Sequence, residues 1–382
     1  MKPIRYNKQY LDNNDKKSII KALNQNLITG GQSVDDFEKK LKKFLNVKFA
    51  STCSNGTAGL HLALEAINLK KNDVIIMPIV NFIASYSMAK LYQAKVFFAD
   101  VDSSTGQMTP ETLINCIKLN NLKKIKAVIL MYMGGYPDNI STFYKLKKIY
   151  KFYIIEDACH AFGASYKVGN NFFKIGCCKH ADLSVFSFHP VKTITTGEGG
   201  LVCTNNRKFN SIIKNFRNHN IVRNKNYWDY NIRKPAFNYR LSDINCALGI
   251  SQLSKIKYII SSRRKIFKTY FDFFKNYSHI LNFRKLNQFE KPCFHLGILN
   301  ISFEKNKNKN KLMKYLNKYN IFPQFHYKPI NLFSFAKKLK INLKKFHGAK
   351  KYYTSSISLP LYLDLKKSDV KNISKLIINY LE

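Results

Sequence analysis

Between Lys48 and Thr204 the chain alternates short apolar runs with amphipathic stretches of about ten residues, and few folds accommodate that rhythm. Strand-like runs are predicted at Lys48–Thr52, Val74–Met77, Lys95–Ala99, Ala127–Met131, Tyr153–Glu156, Leu183–Phe188 and Gly200–Thr204. Helical patterns fall between them. Thr57–Leu69 opens behind the cap-like pair Ser54-Asn55, and Thr109-Pro110-Glu111-Thr112 reads as an N-cap with proline at the first helical position. Ser141 is expected to cap a helix running to Tyr150. Parallel strands need crossovers of this length, so the pattern predicts an α/β fold whose mostly parallel sheet is covered on both faces.

Beyond Arg207 the rhythm breaks. Asn218–Asn238 is polar, basic and aromatic, and reads as a long loop of the kind that is functional or disordered. Helices are expected over Ser242–Ile256 and Ile259–Phe274, and from about Leu281 a strand at Cys293–Phe303 mixes with helices. The expected organisation is a large α/β domain over residues 1–255, carrying an N-terminal segment 1–30, and a smaller α+β domain over 256–382.

Charge is the feature most open to misreading. Lys and Arg total 64 against 23 Asp and Glu, a formal charge of +41, which by itself suggests nucleic acid. Only nine of the cations are Arg, the residue that nucleic-acid surfaces recruit for its fork and its stacking. The lysines are dispersed among many Asn, Ile, Tyr and Phe residues, a composition bias rather than a binding face. A general pull on anionic substrates remains. The eight cysteines form no Cys-x-x-Cys pair, so buried, reduced thiols are expected and a zinc site is not. The longest apolar stretch, Val74–Val101, is broken by Pro78, Asn81, Lys90 and Asp100, and the first residues contain no apolar core of a signal peptide. The expectation is a cytoplasmic protein with no membrane and no nucleic-acid partner.

Three predicted strand ends carry chemistry, at the edge where α/β sheets collect ligands. Ser51–Thr57 turns from strand to helix through small residues, either as a phosphate cradle of free N–H groups or as an ordinary helix cap. Tyr153–Ala161 ends an apolar strand in Glu156-Asp157, placing a carboxylate at the edge or capping a following helix. Ser187–Gly200 holds Lys192, apart from the lysine clusters, between a buried-looking strand and a glycine-rich turn. In an apolar pocket a lysine loses part of its proton affinity, and as a free amine it attacks carbonyls. Pyridoxal 5′-phosphate needs these three things together: a lysine for a Schiff base, a carboxylate beside its pyridinium nitrogen and an anion cradle. Lys192, Asp157 and the Ser54–Thr57 turn supply them in that order.

The segments Ser54-Asn55-Gly56-Thr57-Ala58, Glu156–Ala164, Ser187–Gly200 and Asn238–Ser242 together resemble the nucleotide-sugar aminotransferases of the DegT/DnrJ/EryC1/StrS family, in the right order and over nearly the whole chain. The resemblance implies fold type I of the pyridoxal-phosphate enzymes, with L-glutamate as amino donor and a homodimer with shared active sites. It gives Lys192 the covalent link and the proton transfer, Asp157 the pyridine nitrogen and His160 a place at the cofactor's phenolic oxygen. Phe82 would stack on the ring; Gly56, Thr57 and Ser187 would hold the phosphate, with Asn238 arriving from a second subunit. Taken alone, Phe82 reads as core, and His160 reads equally as a packed histidine. Tyr6, Asn26, Leu27, Ile28, Thr29, Asn55, His326 and Tyr327 match substrate-side positions, and Arg223 and Arg233 are candidates for a diphosphate. Phe186–Lys192 and His326–Ile330 look most like the members that aminate UDP-linked 4-keto-6-deoxy-N-acetyl sugars for pseudaminic acid. The rivals are a 3-keto or UDP-4-keto-arabinose type of substrate, sugar dehydration with pyridoxamine phosphate, and a basic nucleic-acid binder on a non-catalytic fold. Some of the dehydrating relatives carry histidine where this chain has Lys192, which speaks against that group.

Overall fold

The computed structural model describes residues 2–226, 228–304, 306–339, 341 and 345–382. All seven expected strands form, and they make one sheet in the order Phe49–Cys53, Gly200–Thr204, Leu183–Ser187, Tyr153–Asp157, Ala127–Met131, Val74–Pro78, Lys95–Ala99. Six run parallel to one another, and Gly200–Thr204 is antiparallel to both of its neighbours. Ala127–Met131 and Gly200–Thr204 are buried at every position. Continuous apolar strands of this kind require cover on both faces. The helices Gln32–Leu45, Pro110–Leu119 and Ile140–Tyr150 supply one cover, through Phe37, Leu41, Leu113, Ile117 and Phe143. Gly56–Ala66, Ile83–Leu91 and Arg207–Arg217 supply the other, through Leu60, Leu64, Ala89, Ile213 and Phe216.

Because the six strands share a direction, the carboxyl ends of Phe49–Cys53, Tyr153–Asp157 and Leu183–Ser187 open on one edge of the sheet. Thr109 caps its helix with a reciprocal capping box, as the sequence indicates. Ser141 does not cap the next one. That helix begins at Ile140 behind Asn139, which sits in the left-handed region at φ 55° and makes no side-chain cap. Asn and Asp tolerate that conformation, which explains the shift by two residues.

The C-terminal part packs the helices Ile256–Phe274, Lys309–Lys318 and Lys367–Leu381 against a three-stranded antiparallel sheet of Leu281–Phe283, Gly297–Ile301 and Ser356–Leu359. The strand predicted over Cys293–Phe303 is thus shorter at both ends; at its start, the backbone N–H groups of Cys293 and His295 bond to Gly135 and Gly134 instead of to a neighbouring strand. Residue 255, the expected domain boundary, lies between the helices Asp243–Ser254 and Ile256–Phe274. Ile4–Arg5 pairs in parallel with Ile321–Phe322, so the N-terminal segment is sewn to the C-terminal part.

Asn218–Asn238 is not a structureless loop. Ile221–Arg223 and Tyr230–Ile232 form an antiparallel ribbon, closed at its base by a bridge between Asn218 and Asn238. Each strand is three residues long, too short for an alternation to show in the sequence. Tyr227 of this stretch lies outside the described residues. All eight cysteines are free, and seven are buried.

Candidate active site

A cavity of about 860 Å³ opens at the carboxyl edge of the sheet, and Gly56, Asp157, His160, Ser187 and Lys192 all line it. Each owes its place to its strand. The helix Gly56–Ala66 begins directly behind Phe49–Cys53, and its Asn55 cap accepts from Ala58 N–H at 2.8 Å. Asn55 therefore caps the helix, and the first-turn N–H groups at Gly56 and Thr57 are left to face the cavity. A Cβ at Gly56 would stand 3.0 Å from the Ser187 Cβ and 3.2 Å from the Cys159 Sγ, so glycine keeps this cradle open. With the helix N-terminus behind it and the Ser187 hydroxyl beside it, the cradle suits an anion.

No helix follows Tyr153–Asp157, which removes the capping reading of Asp157. One carboxylate oxygen accepts from the Ser85 hydroxyl at 2.9 Å, and the other has a long contact with the Cys159 N–H at 3.4 Å. Ser85 lies in the first turn of the helix that starts behind Phe82. Sequence reasoning passed it over, since a serine among small residues gives no signal.

Lys192 sits in the connection between Leu183–Ser187 and Gly200–Thr204. That loop folds on itself: the Thr195 hydroxyl and the Thr196 N–H both donate to the Phe188 carbonyl, at 2.9 and 3.0 Å. Gly197 turns the chain at φ 79°, a conformation that favours glycine. Desolvation of its ammonium lowers the Lys192 pKa, with Cys159 and Asp157 pulling partly the other way. A cavity-lining amine of lowered proton affinity, with a carboxylate in the same cavity, is the chemical product of this fold.

Three neutral imidazoles complete the wall. His160 accepts from Gly134 N–H on Nδ1 at 3.4 Å, which puts its proton on Nε2, and Nε2 lies 2.8 Å from the Tyr327 hydroxyl. The Tyr327 proton is then free to point into the cavity. His326 meets the Ser358 hydroxyl at 2.8 Å, and Tyr6 packs on it at 5.2 Å between ring centroids. His295, unflagged by the sequence, has its ring centroid 4.4 Å from that of His160. A lone histidine in the apolar run Cys293–Leu296 reads as core, and only the fold brings it to the cavity. Burial, reinforced by Lys192, holds all three well below the ordinary histidine value, His326 at about 3.

These rings carry a pH signature. Below about pH 6.5 an unfolded chain protonates them while the fold keeps them neutral, so the unfolded state binds more protons and stability drops as the pH is lowered. Each ring adds about 1.4 kcal/mol of loss per pH unit in that window. Urea unfolding of the cofactor-free protein between pH 7 and 5 should show a steeper loss than His295→Gln. Equal slopes would contradict this assignment.

Phe82 stands at the mouth, half exposed, with its ring centroid 5.6 Å from Tyr327. Tyr6, Asn55, His326 and Tyr327 line the cavity as well. Asn26–Thr29 and Asn238 do not. Thr29 bridges to Ser242, Leu27 and Ile28 are exposed, and Asn238 pairs with Asn218 at the base of the ribbon that carries Arg223, with Arg233 just beyond its second strand. Among the described residues there is no cluster of three metal-ligating side chains, and no helix is long and apolar enough to cross a membrane.

Residues 9–377 match the model of the DegT/DnrJ/EryC1/StrS aminotransferase family. The chain is 35% identical over 379 residues to the UDP-4-amino-4,6-dideoxy-N-acetyl-beta-L-altrosamine transaminase of Campylobacter jejuni subsp. jejuni serotype O:23/36, covering 99% of this chain and 98% of that one. To the Helicobacter pylori transaminase of the same name it is 30% identical over 390 residues, covering 100% and 99%. Its structure superposes on Helicobacter pylori PseC, an aminotransferase involved in the biosynthesis of pseudoaminic acid, with a TM-score of 0.91 at 28% identity, covering 100% of this chain and 99% of that chain.

Proposed function

Because the chain belongs to the DegT/DnrJ/EryC1/StrS aminotransferase family, we propose that it is a pyridoxal-phosphate-dependent transaminase. In this reading it takes the amino group of L-glutamate to the 4-keto carbon of a UDP-linked 6-deoxy-N-acetyl sugar. One observation carries the proposal. Lys192, Asp157 and the Gly56–Thr57–Ser187 cradle, which lie far apart in sequence, converge on one cavity. The residues fit the cofactor, since a side chain at Gly56 would crowd Ser187 and Cys159 at the helix N-terminus where an anion would be held. The substrate class follows from relatives named for that sugar, aligned over the full chain.

Pyridoxal 5′-phosphate, when bound, supplies a carbonyl that takes up amines and a ring that draws off the electrons of a broken C–H bond. The protein does the rest. Gly56, Thr57 and Ser187 hold the phosphate, and Phe82 covers a ring face. Asp157 keeps a negative charge beside the pyridine nitrogen, with Ser85 fixing its rotamer. Lys192, whose proton affinity burial lowers, would supply the amine that joins the cofactor and would move a proton at the substrate carbon. His160 holds Tyr327 so that the tyrosine hydroxyl faces the reacting groups. Tyr6 and His326 close the sugar side. We assign Asn238, Asn26–Thr29, Arg223 and Arg233 to the neighbouring site of a homodimer, since Asn26–Thr29 and Asn238 do not line the cavity of their own chain. The eight free thiols suit a reducing, cytoplasmic compartment.

The test is a substrate panel with glutamate as donor: UDP-linked 4-keto-6-deoxy-N-acetyl sugars of altro and gluco configuration, a 3-keto nucleotide sugar and UDP-4-keto-arabinose. Amination of a UDP-linked 4-keto-6-deoxy-N-acetyl sugar, with the others at least tenfold slower in kcat/KM, is expected. A preference for a 3-keto or pentose substrate would overturn the substrate reading and leave the transaminase standing.

A further inference from the structure

The guanidinium of Arg263 is buried in the helix Ile256–Phe274, and no carboxylate among the described residues pairs with it. Its partners are neutral. Nη1 donates to the carbonyls of Leu361 at 2.9 Å and His295 at 3.2 Å, and Nη2 donates to the Asn7 side-chain oxygen at 3.2 Å. Burying a cation among carbonyls alone is costly, so the arrangement calls for an explanation.

Asn7 passes the contact on. It is 5% exposed, its Oδ1 also accepts the Lys8 N–H at 2.8 Å, and its Nδ2 donates to the carbonyl of Val191 at 2.8 Å. That carbonyl belongs to the peptide unit whose nitrogen is Lys192. The other end of the same unit is held too, as the Lys192 N–H donates to the His189 carbonyl at 2.9 Å. A planar peptide clamped at both polar ends fixes the direction in which the next Cα presents its side chain. The clamp reaches the Val191 carbonyl from a residue 184 positions away.

We propose that Asn7 is a positioning residue for Lys192, tying the peptide that carries the lysine to the buried guanidinium of Arg263 and through it to the backbone of His295. The Lys192 loop, the N-terminal segment and the His295 wall are then registered to one buried group. Asn is suited to the middle of the chain because it accepts from Arg263 with one atom and donates to Val191 with the other. The inference rests on the reading of Lys192 as the reactive amine, and its test includes a readout that does not need that reading.

Asn7→Asp separates structure from positioning. The carboxylate keeps the acceptor for Arg263 and adds an ion pair, but loses the donor and turns a lone pair toward the Val191 carbonyl. The expected variant melts no lower than wild type. In the cofactor-free protein, acylation of Lys192, followed by peptide mass spectrometry across a pH series, should shift its midpoint up toward that of surface lysines. In the loaded enzyme kcat should fall roughly 10–100-fold with little change in KM, the scale on which small misplacements act. Asn7→Ser, too short to bridge both partners, should move the labelling and kcat in the same direction and serves if Asn7→Asp folds poorly. Wild-type labelling and kcat in a folded variant would overturn the proposal, as would a loss of kcat no larger than the loss of folded protein. If no variant and no wild type transaminates while the labelling shift persists, the enzyme reading fails and the tether stands.

Discussion

Lys192→Ala should lose amino transfer by at least about 10⁴-fold and keep its fold. Two functions leave with the amine, the attack on a carbonyl and the carriage of a proton, and the second alone is worth about 10²–10⁴. The fold has no reason to suffer. The loop is tied through Thr195, Thr196 and the backbone of residues 191–192, none of which the substitution removes. Removing a desolvated cation relieves a cost. The variant should still take up the cofactor without a covalent bond, held by the cradle and Asp157. Single-turnover assays with glutamate, alongside a thermal melt and a cofactor titration, measure all three. Ordinary turnover by the variant would move the chemistry to another residue.

For Asp157→Asn the expected loss is about 10²–10⁴ in kcat, with a much smaller change in cofactor occupancy. The carboxamide still accepts from Ser85, so the local geometry survives. What goes is the buried negative charge opposite a ring nitrogen that must stay protonated, and breaking a buried charge pair costs about 3–5 kcal/mol. Occupancy changes less because the phosphate cradle and the lysine remain. Presteady-state rates for the glutamate half-reaction, set against cofactor content after dialysis, separate the two effects. A variant that keeps near-wild-type rates would remove Asp157 from the ring nitrogen.

The large sheet was legible because each of its seven strands is a local apolar run between polar breaks, and its mostly parallel character follows from the length of the intervening helices. The short strands Ser165–Val168, Asn171–Lys174 and Ile221–Arg223 were not, since three or four residues are too few to establish an alternation. The three chemical segments stood out because strand ends collect ligands, and the parallel strands bring them to one edge. His295 and Ser85 escaped for the opposite reason. Their positions in the chain are those of ordinary core and helix residues, and their roles arise from contacts made by distant segments. Asn7 is the extreme case, a polar residue in an N-terminal segment whose partners are Val191 and Arg263. The charge misleads in the other direction: +41 is conspicuous in the composition, yet the cavity works with one desolvated lysine, its proton affinity lowered, and three neutral histidines.

The central claim is that Lys192 is the point at which the cofactor joins the protein. The most direct test is to record the visible absorbance of the protein loaded with pyridoxal phosphate, add glutamate, and trap the glutamate-free form with borohydride for peptide mapping. A visible band that glutamate bleaches, with the reduced adduct on Lys192, is the predicted result. A protein that stays colourless with added pyridoxal phosphate, or an adduct on another lysine, would contradict it.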